Sequence, residues 1–213
     1  MIRILIADDH AVVRRGIRTL LESEPEWEIC GEAKDGREAV SRVRQVKPEV
    51  AILDIGMPGL NGAEALRQIR KASPSTAVVI FTVHDSEELA ADLLRAGACA
   101  YLLKSEVDED LIPAIKAAIK HQPYLTAAIG TMVMRDYLTP GVRRISTKSI
   151  LTPREREILQ LAAEGKSSKE VACALGIATE TARTHRKNLM QKLGAHSTAA
   201  LVHYAVRNQI VPA

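Results

Sequence analysis

Three cysteines in 213 residues, Cys30, Cys99 and Cys173, are too few and too scattered to organise a fold. There is no C-x-x-C pair and no cysteine–histidine cluster at zinc-ligand spacing, so neither a disulfide framework nor a structural zinc site is expected. The three read instead as reduced thiols packed as small hydrophobes in a reducing compartment. Long apolar runs are missing too. The longest, such as Ala77 to Phe81, are strand-sized and far short of the ~20 residues a membrane helix needs. The apolar start at Ile2 runs straight into Asp8-Asp9 without the pattern of a signal peptide, so a cytoplasmic protein with no membrane partner is expected. No internal repeat or low-complexity segment stands out. The 46% hydrophobic and 26% charged residues that remain are those of a folded globular chain, which excludes disordered, collagen-like and coiled-coil classes.

The length exceeds the ~100–150 residues of a usual single domain, and charge divides the chain where a boundary is expected. Residues 1–121 hold 16 Lys and Arg against 20 Asp and Glu, a net of −4; residues 122–213 hold 13 against 6, a net of +7. The basic half suits a polyanion, and the opposite signs predict attraction between the halves.

In the first half, short apolar runs at 2–7, 28–33, 49–53, 77–82 and 99–103 alternate with segments of helical period, for example Val13, Ile17, Leu20 and Leu21. Apart from the more polar second run, the apolar segments are continuous rather than alternating, as strands covered on both faces are. Asn61 with Glu64 reads as a capping box, and Gly97 sits where a helix ends. Five βα units predict a doubly wound, five-stranded parallel α/β domain over 1–121, with its site at the carboxyl ends of the strands. Residues 122–149, with Pro123, Gly130 and Thr139-Pro140-Gly141, read as a linker, with a helix possible between Leu125 and Leu138. A smaller all-α domain over 150–213 follows. Capping boxes at Thr152/Glu155 and Ser167/Glu170 open two helices, Gly176 turns the chain, and Thr179 to Leu193 forms a longer helix: a helix-turn-helix. Ser197 opens a last helix.

Asp8 and Asp9 end the first strand and Asp54 the third, so three carboxylates converge. A hard divalent cation such as Mg²⁺ relieves their mutual repulsion and leaves room for a phosphate in its shell. Thr82 and Lys104 end the fourth and fifth strands as hydroxyl donor and compact cation, which points to a carboxylate that accepts a phosphoryl group. The segments Ile6 to His10, Leu53 to Gly62, Thr82, Ala96-Gly97-Ala98 and Tyr101 to Lys104 resemble a response-regulator receiver domain. That resemblance implies that Asp54 is the phosphoacceptor, and that Asp8, Asp9, Asp54 and the backbone carbonyl of Gly56 serve Mg²⁺. It also implies that Thr82 and Tyr101 form a switch pair, the ring swinging inward behind the hydroxyl, while Lys104 contacts the phosphoryl group. Ser105 stands where many receivers have proline.

On the Thr179–Leu193 helix, Ala182, Leu189 and Leu193 gather on one side, while Glu180, Arg183, Thr184, Lys187 and Gln191 share a polar arc fit for a DNA major groove. The stretch Leu151 to Leu159, with Gly165, Val171-Ala172, Leu175-Gly176-Ile177, Thr181, His185 and Lys192-Leu193-Gly194, is similar to the LuxR-type DNA-binding domain. Together the two resemblances imply the NarL/FixJ class of response regulators. Such a protein is not an enzyme but a transcription regulator, phosphorylated by a sensor histidine kinase, binding promoter DNA through Thr181, Arg183, Thr184 and Lys187, and forming a homodimer when phosphorylated. Ala178 stands where the family usually caps this helix with Ser or Thr, so the cap is expected to shift to Thr179. Two rivals compete. A LuxR-type regulator gated by a ligand or protein partner would not need the acidic constellation. An aspartyl-phosphate hydrolase would need a second Asp where Gly56 stands.

Overall fold

Continuous apolar runs become strands where both faces are covered. The computed structural model describes residues 1–126, 130–131 and 151–211, with Glu87 and residues 106–108 described in backbone only. Strands β1 (Ile2–Ala7), β2 (Trp27–Ala33), β3 (Val50–Leu53), β4 (Ala77–Thr82) and β5 (Ala100–Leu103) form one parallel sheet in the order β2-β1-β3-β4-β5. Every residue of the central β3 and β4 is buried, whereas the edge strand β2 is mostly half-exposed, which accounts for its more polar sequence. The β1–β2 register slips between Ile4 and Leu5, and the extra residue on β2 is Cys30.

Helices α1 (Ala11–Leu21) and α5 (Val107–Ile119) cover one face, burying Ile17, Leu21, Leu111 and Ile115 against Ile4, Ile6 and Val79. Helices α2 (Gly36–Val46), α3 (Gly62–Ala72) and α4 (Glu87–Arg95) cover the other, burying Val43, Leu66, Ile69 and Leu93 against Leu5, Leu53 and Ile80. Each fully buried Leu or Ile contributes about 1.5–3 kcal/mol. From β1 the chain goes first to β2 on one side and later to β3 on the other. The crevice of this doubly wound sheet therefore opens at the carboxyl ends of β1 and β3.

The C-terminal domain is all helix: α6 (Pro153–Ala163), α7 (Ser168–Leu175), α8 (Thr179–Leu193) and α9 (Thr198–Arg207), around Leu151, Ile158, Leu159, Val171, Leu189 and Leu201. The boxes at Thr152/Glu155 and Ser167/Glu170 are both complete, and Gly176 ends α7 in the left-handed conformation with φ of 62°.

Three expectations are corrected. Cys173 is exposed rather than packed. The cap of α8 does not shift to Thr179: Ala178 holds the extended N-cap position and supplies no side-chain bond. At Asn61 only half of the capping box forms. Its side chain accepts the Glu64 amide, but the Asn61 amide donates to Gln160 of α6, because the second domain lies against this turn. The helix expected between Leu125 and Leu138 lies almost wholly outside the described residues.

Candidate functional site

Strand register brings the acidic residues together. Ala7 pairs with Leu53, so Asp8 and Asp54 leave adjoining strand ends, and the Asp54 amide donates to the Ala7 carbonyl at 2.8 Å. One carboxylate oxygen from each of Asp8, Asp9 and Asp54, with a ring nitrogen of His10, lie within 4.8 Å of one another. Asp8 and Asp54 are 1% and 3% exposed, while Asp9 and His10 face solvent. The Lys104 ammonium reaches in from the end of β5, 2.6 Å from Asp8 Oδ2 and 3.2 Å from Asp54 Oδ1. These are charge contacts, for neither oxygen accepts an aligned hydrogen bond. Burial pushes the Asp54 carboxyl above its ordinary 3.8; Lys104 pulls it back, Asp8 pushes it up again, and the Gly56 amide favours the charged form. A Cβ built on Gly56 would lie 3.4 Å from Asp54 Oδ2, so the backbone at 56 passes over this carboxylate.

Two buried, un-hydrogen-bonded carboxylate oxygens beside an exposed third carboxylate form an all-oxygen donor set. That chemistry fits a hard divalent cation such as Mg²⁺.

Thr82 ends β4 fully buried, and its Oγ accepts the His84 amide at 3.2 Å. Tyr101, on β5, is 3% exposed and donates its hydroxyl to the His84 carbonyl. Burial, then the negative Asp85, push the phenol pKa upward. The ring is thus already inside, where the resemblance implies an inward swing, and the two side chains hold one residue of the β4–α4 loop from both its amide and its carbonyl.

Along α8, Thr181, Arg183, Thr184, Lys187 and Gln191 are exposed, whereas Ala182 and Leu189 are buried. Arg183 pairs with Glu180 at 2.5 Å, and the Thr184 hydroxyl donates back to the Glu180 carbonyl at 2.9 Å. Beside this arc opens a cleft of about 800 Å³ lined by Ser168, Arg183, Arg186, Lys187 and His196.

Residues 4–116 match the family of response regulator receiver domains, and residues 149–205 match the bacterial regulatory proteins of the luxR family. The chain belongs to the LuxR-type response regulators. This regulator is 36% identical over 210 residues to the transcriptional regulatory protein MctR of Rhizobium johnstonii, covering 99% of this chain and 95% of that one. It is likewise 36% identical to the transcriptional regulatory protein LiaR of Bacillus subtilis, over 99% and 100% of the two chains. Among solved structures it is similar to the RcsB response regulator of Salmonella typhimurium, with a TM-score of 0.60 at 26% identity over 96% of this chain and 98% of that one. An RcsB–DNA complex gives 0.59 at 27% identity over 95% and 96%. The regulator is of the NarL/FixJ class, a phosphorylation-controlled DNA-binding protein rather than an enzyme, which removes the hydrolase rival. No helix among the described residues is long and apolar enough to cross a membrane.

Sequence reasoning gave no role to His10, whose Nδ1 lies 2.8 Å from Asp9 Oδ1, and it expected attraction between the halves from net charge without naming any residue of the contact. There, Glu157 of α6, 8% exposed, accepts from Gln68 at 3.0 Å and pairs with Arg37 and Arg154, and Arg156 pairs with the buried Glu64 at 3.1 Å. The one available signal was a capping-box glutamate, Glu64, so placed that another partner could claim it.

Proposed function

We propose that Asp54 is the phosphoacceptor of this response regulator, and that Asp8, Asp9, Asp54 and the Gly56 carbonyl hold Mg²⁺. The supporting observation is the pair of buried carboxylate oxygens without hydrogen bonds at the ends of β1 and β3, with Lys104 between them. When bound, the cation supplies positive charge that neutralises the transferring oxygens. Asp54 attacks the phosphorus of a phosphohistidine on a sensor kinase: a P–O bond forms, the P–N bond breaks, and the imidazole leaves as its nitrogen is protonated. Lys104 pairs with a phosphoryl oxygen and Thr82 donates its hydroxyl, giving up its acceptor bond from the His84 amide. Because Tyr101 holds the His84 carbonyl, the loop movement passes to the Tyr101 side of the sheet. The phosphoryl group adds a charge of about −2.

In this reading residues 1–121 are the receiver, 122–149 the linker and 150–213 the DNA-binding domain of a cytoplasmic protein that forms a homodimer when phosphorylated. Thr181, Arg183, Thr184 and Lys187 contact promoter DNA at paired half-sites about one helical turn apart. Incubation of the full chain with acetyl phosphate and Mg²⁺ tests the site. Asp54→Asn should abolish labelling, and label that persists on the variant would overturn the assignment.

A further inference from the structure

The acidic cluster holds a nitrogen as well as oxygens. His10 is the N-cap residue of α1, in the extended conformation, yet its side chain makes no cap bond. The ring turns to the carboxylates instead: Nδ1 lies 2.8 Å from Asp9 Oδ1 and 3.4 Å from Asp8 Oδ1, and with Asp54 the whole set fits within 4.8 Å. Ligand atoms bonded to one ion at about 2.1 Å stand about 3 Å apart when they are neighbours. The ring nitrogen therefore stands from Asp8 and Asp9 at the spacing of adjacent ligands. Two further oxygens, Asp8 Oδ2 and Asp54 Oδ1, are buried without a hydrogen bond, so the set has unfilled capacity for a cation.

The turn that carries the ring is held firmly. The His10 amide donates to Asp8 Oδ1 at 2.8 Å, and the Arg14 guanidinium donates to the Asp8 carbonyl at 2.7 Å while pairing with Glu32 at 3.0 Å. The ring lies on the Oδ1 side of Asp8, whereas Lys104 holds Oδ2. Asp9 and His10 face solvent, so an ion reaches them directly. Mg²⁺ prefers oxygen ligands and gains little from an imidazole. Borderline cations of the first transition row, Co²⁺ and Zn²⁺ among them, bind imidazole well.

We propose that His10 is a fourth ligand at this site, and that its nitrogen makes the acidic cluster prefer a borderline transition-metal cation to Mg²⁺. The inference rests on the reading of Asp8, Asp9 and Asp54 as cation ligands given above. Both kinds of ion claim the same carboxylates, so occupancy of the phosphoacceptor site depends on which divalent cation is at hand.

The test uses Co²⁺ as the probe, because its visible absorption reports the ligand atoms around it. The full chain and its His10→Ala variant are each titrated with Co²⁺ and then with Mg²⁺ in competition. The parent should bind Co²⁺ at least about 100-fold more tightly than Mg²⁺, and excess Mg²⁺ should displace it, which assigns both ions to one site. His10→Ala should lower the ratio of Co²⁺ to Mg²⁺ affinity about 10-fold and change the Co²⁺ spectrum. A ring that merely donates to Asp9 would move neither the ratio nor the spectrum. His10→Gln, which replaces the imidazole by an amide, should behave in the same way and carries the test should His10→Ala not fold. An unchanged ratio and spectrum in a variant that binds Mg²⁺ overturns the role of His10 alone, as does Co²⁺ that Mg²⁺ fails to displace. A parent chain that binds neither ion overturns the cation reading and this inference with it.

Discussion

At Gly62 and Gly36 the backbone of a neighbouring segment occupies the space a side chain would need. A Cβ on Gly62 would lie 2.0 Å from the Asp54 carbonyl oxygen, and one on Gly36 2.1 Å from that of Leu60. Both contacts are with main chain, which cannot swing aside. Gly62→Ala should therefore destabilise the receiver by about 1–3 kcal/mol, read as a lower urea midpoint, and slow the labelling of Asp54, whose backbone must move. Glu155 supports a second prediction at this scale. Its hydrogen bond to Lys192, then the Thr152 cap bonds, hold its carboxyl below the ordinary 4.5. A depressed folded pKa contributes stability above the unfolded value and loses it as pH falls through the folded one. Thermal melts between about pH 3 and pH 6 should show that loss in the parent chain, and Glu155→Gln should flatten it. The group is partly exposed, so the effect is modest and shrinks with salt. The meeting of Asp8, Asp9, Asp54 and Lys104 was legible in the sequence, because each ends an apolar run and parallel strands place their ends side by side. The bonds of Thr82 and Tyr101 to His84 were not, since they use backbone atoms of a loop whose path no spacing dictates.

Among the elements, α6 shows best where sequence patterning stops. Its apolar residues Ile158, Leu159 and Leu161 face their own core as helical spacing predicts. Glu157 and Gln160 are polar, yet both are buried, because a second domain covers them. Periodicity reports that a face is polar and is silent on what lies against it. The start of α8 is weaker than those of α6 and α7, for Ala178 leaves its N-terminal amides without a side-chain acceptor. Ala178→Ser should raise the stability of the C-terminal domain by about 1 kcal/mol, measured by chemical denaturation; no gain would mean that neighbouring groups already satisfy those amides.

For the whole molecule, the charge split foretold two domains with different partners, but it is not what joins them. The ion pairs across the contact run in both directions: Arg37 of the receiver to Glu157, and Glu64 of the receiver to Arg156. Attraction between an acidic half and a basic half would need only the second. Because Glu157 and Glu64 are buried, these pairs should resist screening that dissolves surface pairs. Glu157→Ala leaves Arg37 and Gln68 facing a gap, and should open the contact while both domains stay folded. Small-angle scattering should then give a larger radius of gyration, one that moderate salt alone does not produce in the parent chain.

The exposed arc of α8 has a consequence for how such a protein spends its idle time. With α6 docked, Arg183 and Lys187 still face outward, so none of the described residues covers the edge proposed to meet DNA. A resting regulator with that edge open should bind DNA through weak, salt-sensitive contacts that are blind to sequence. On the proposed DNA contacts, a signal then has no search to start: it would act on molecules already within reach of their operators and set how long they stay.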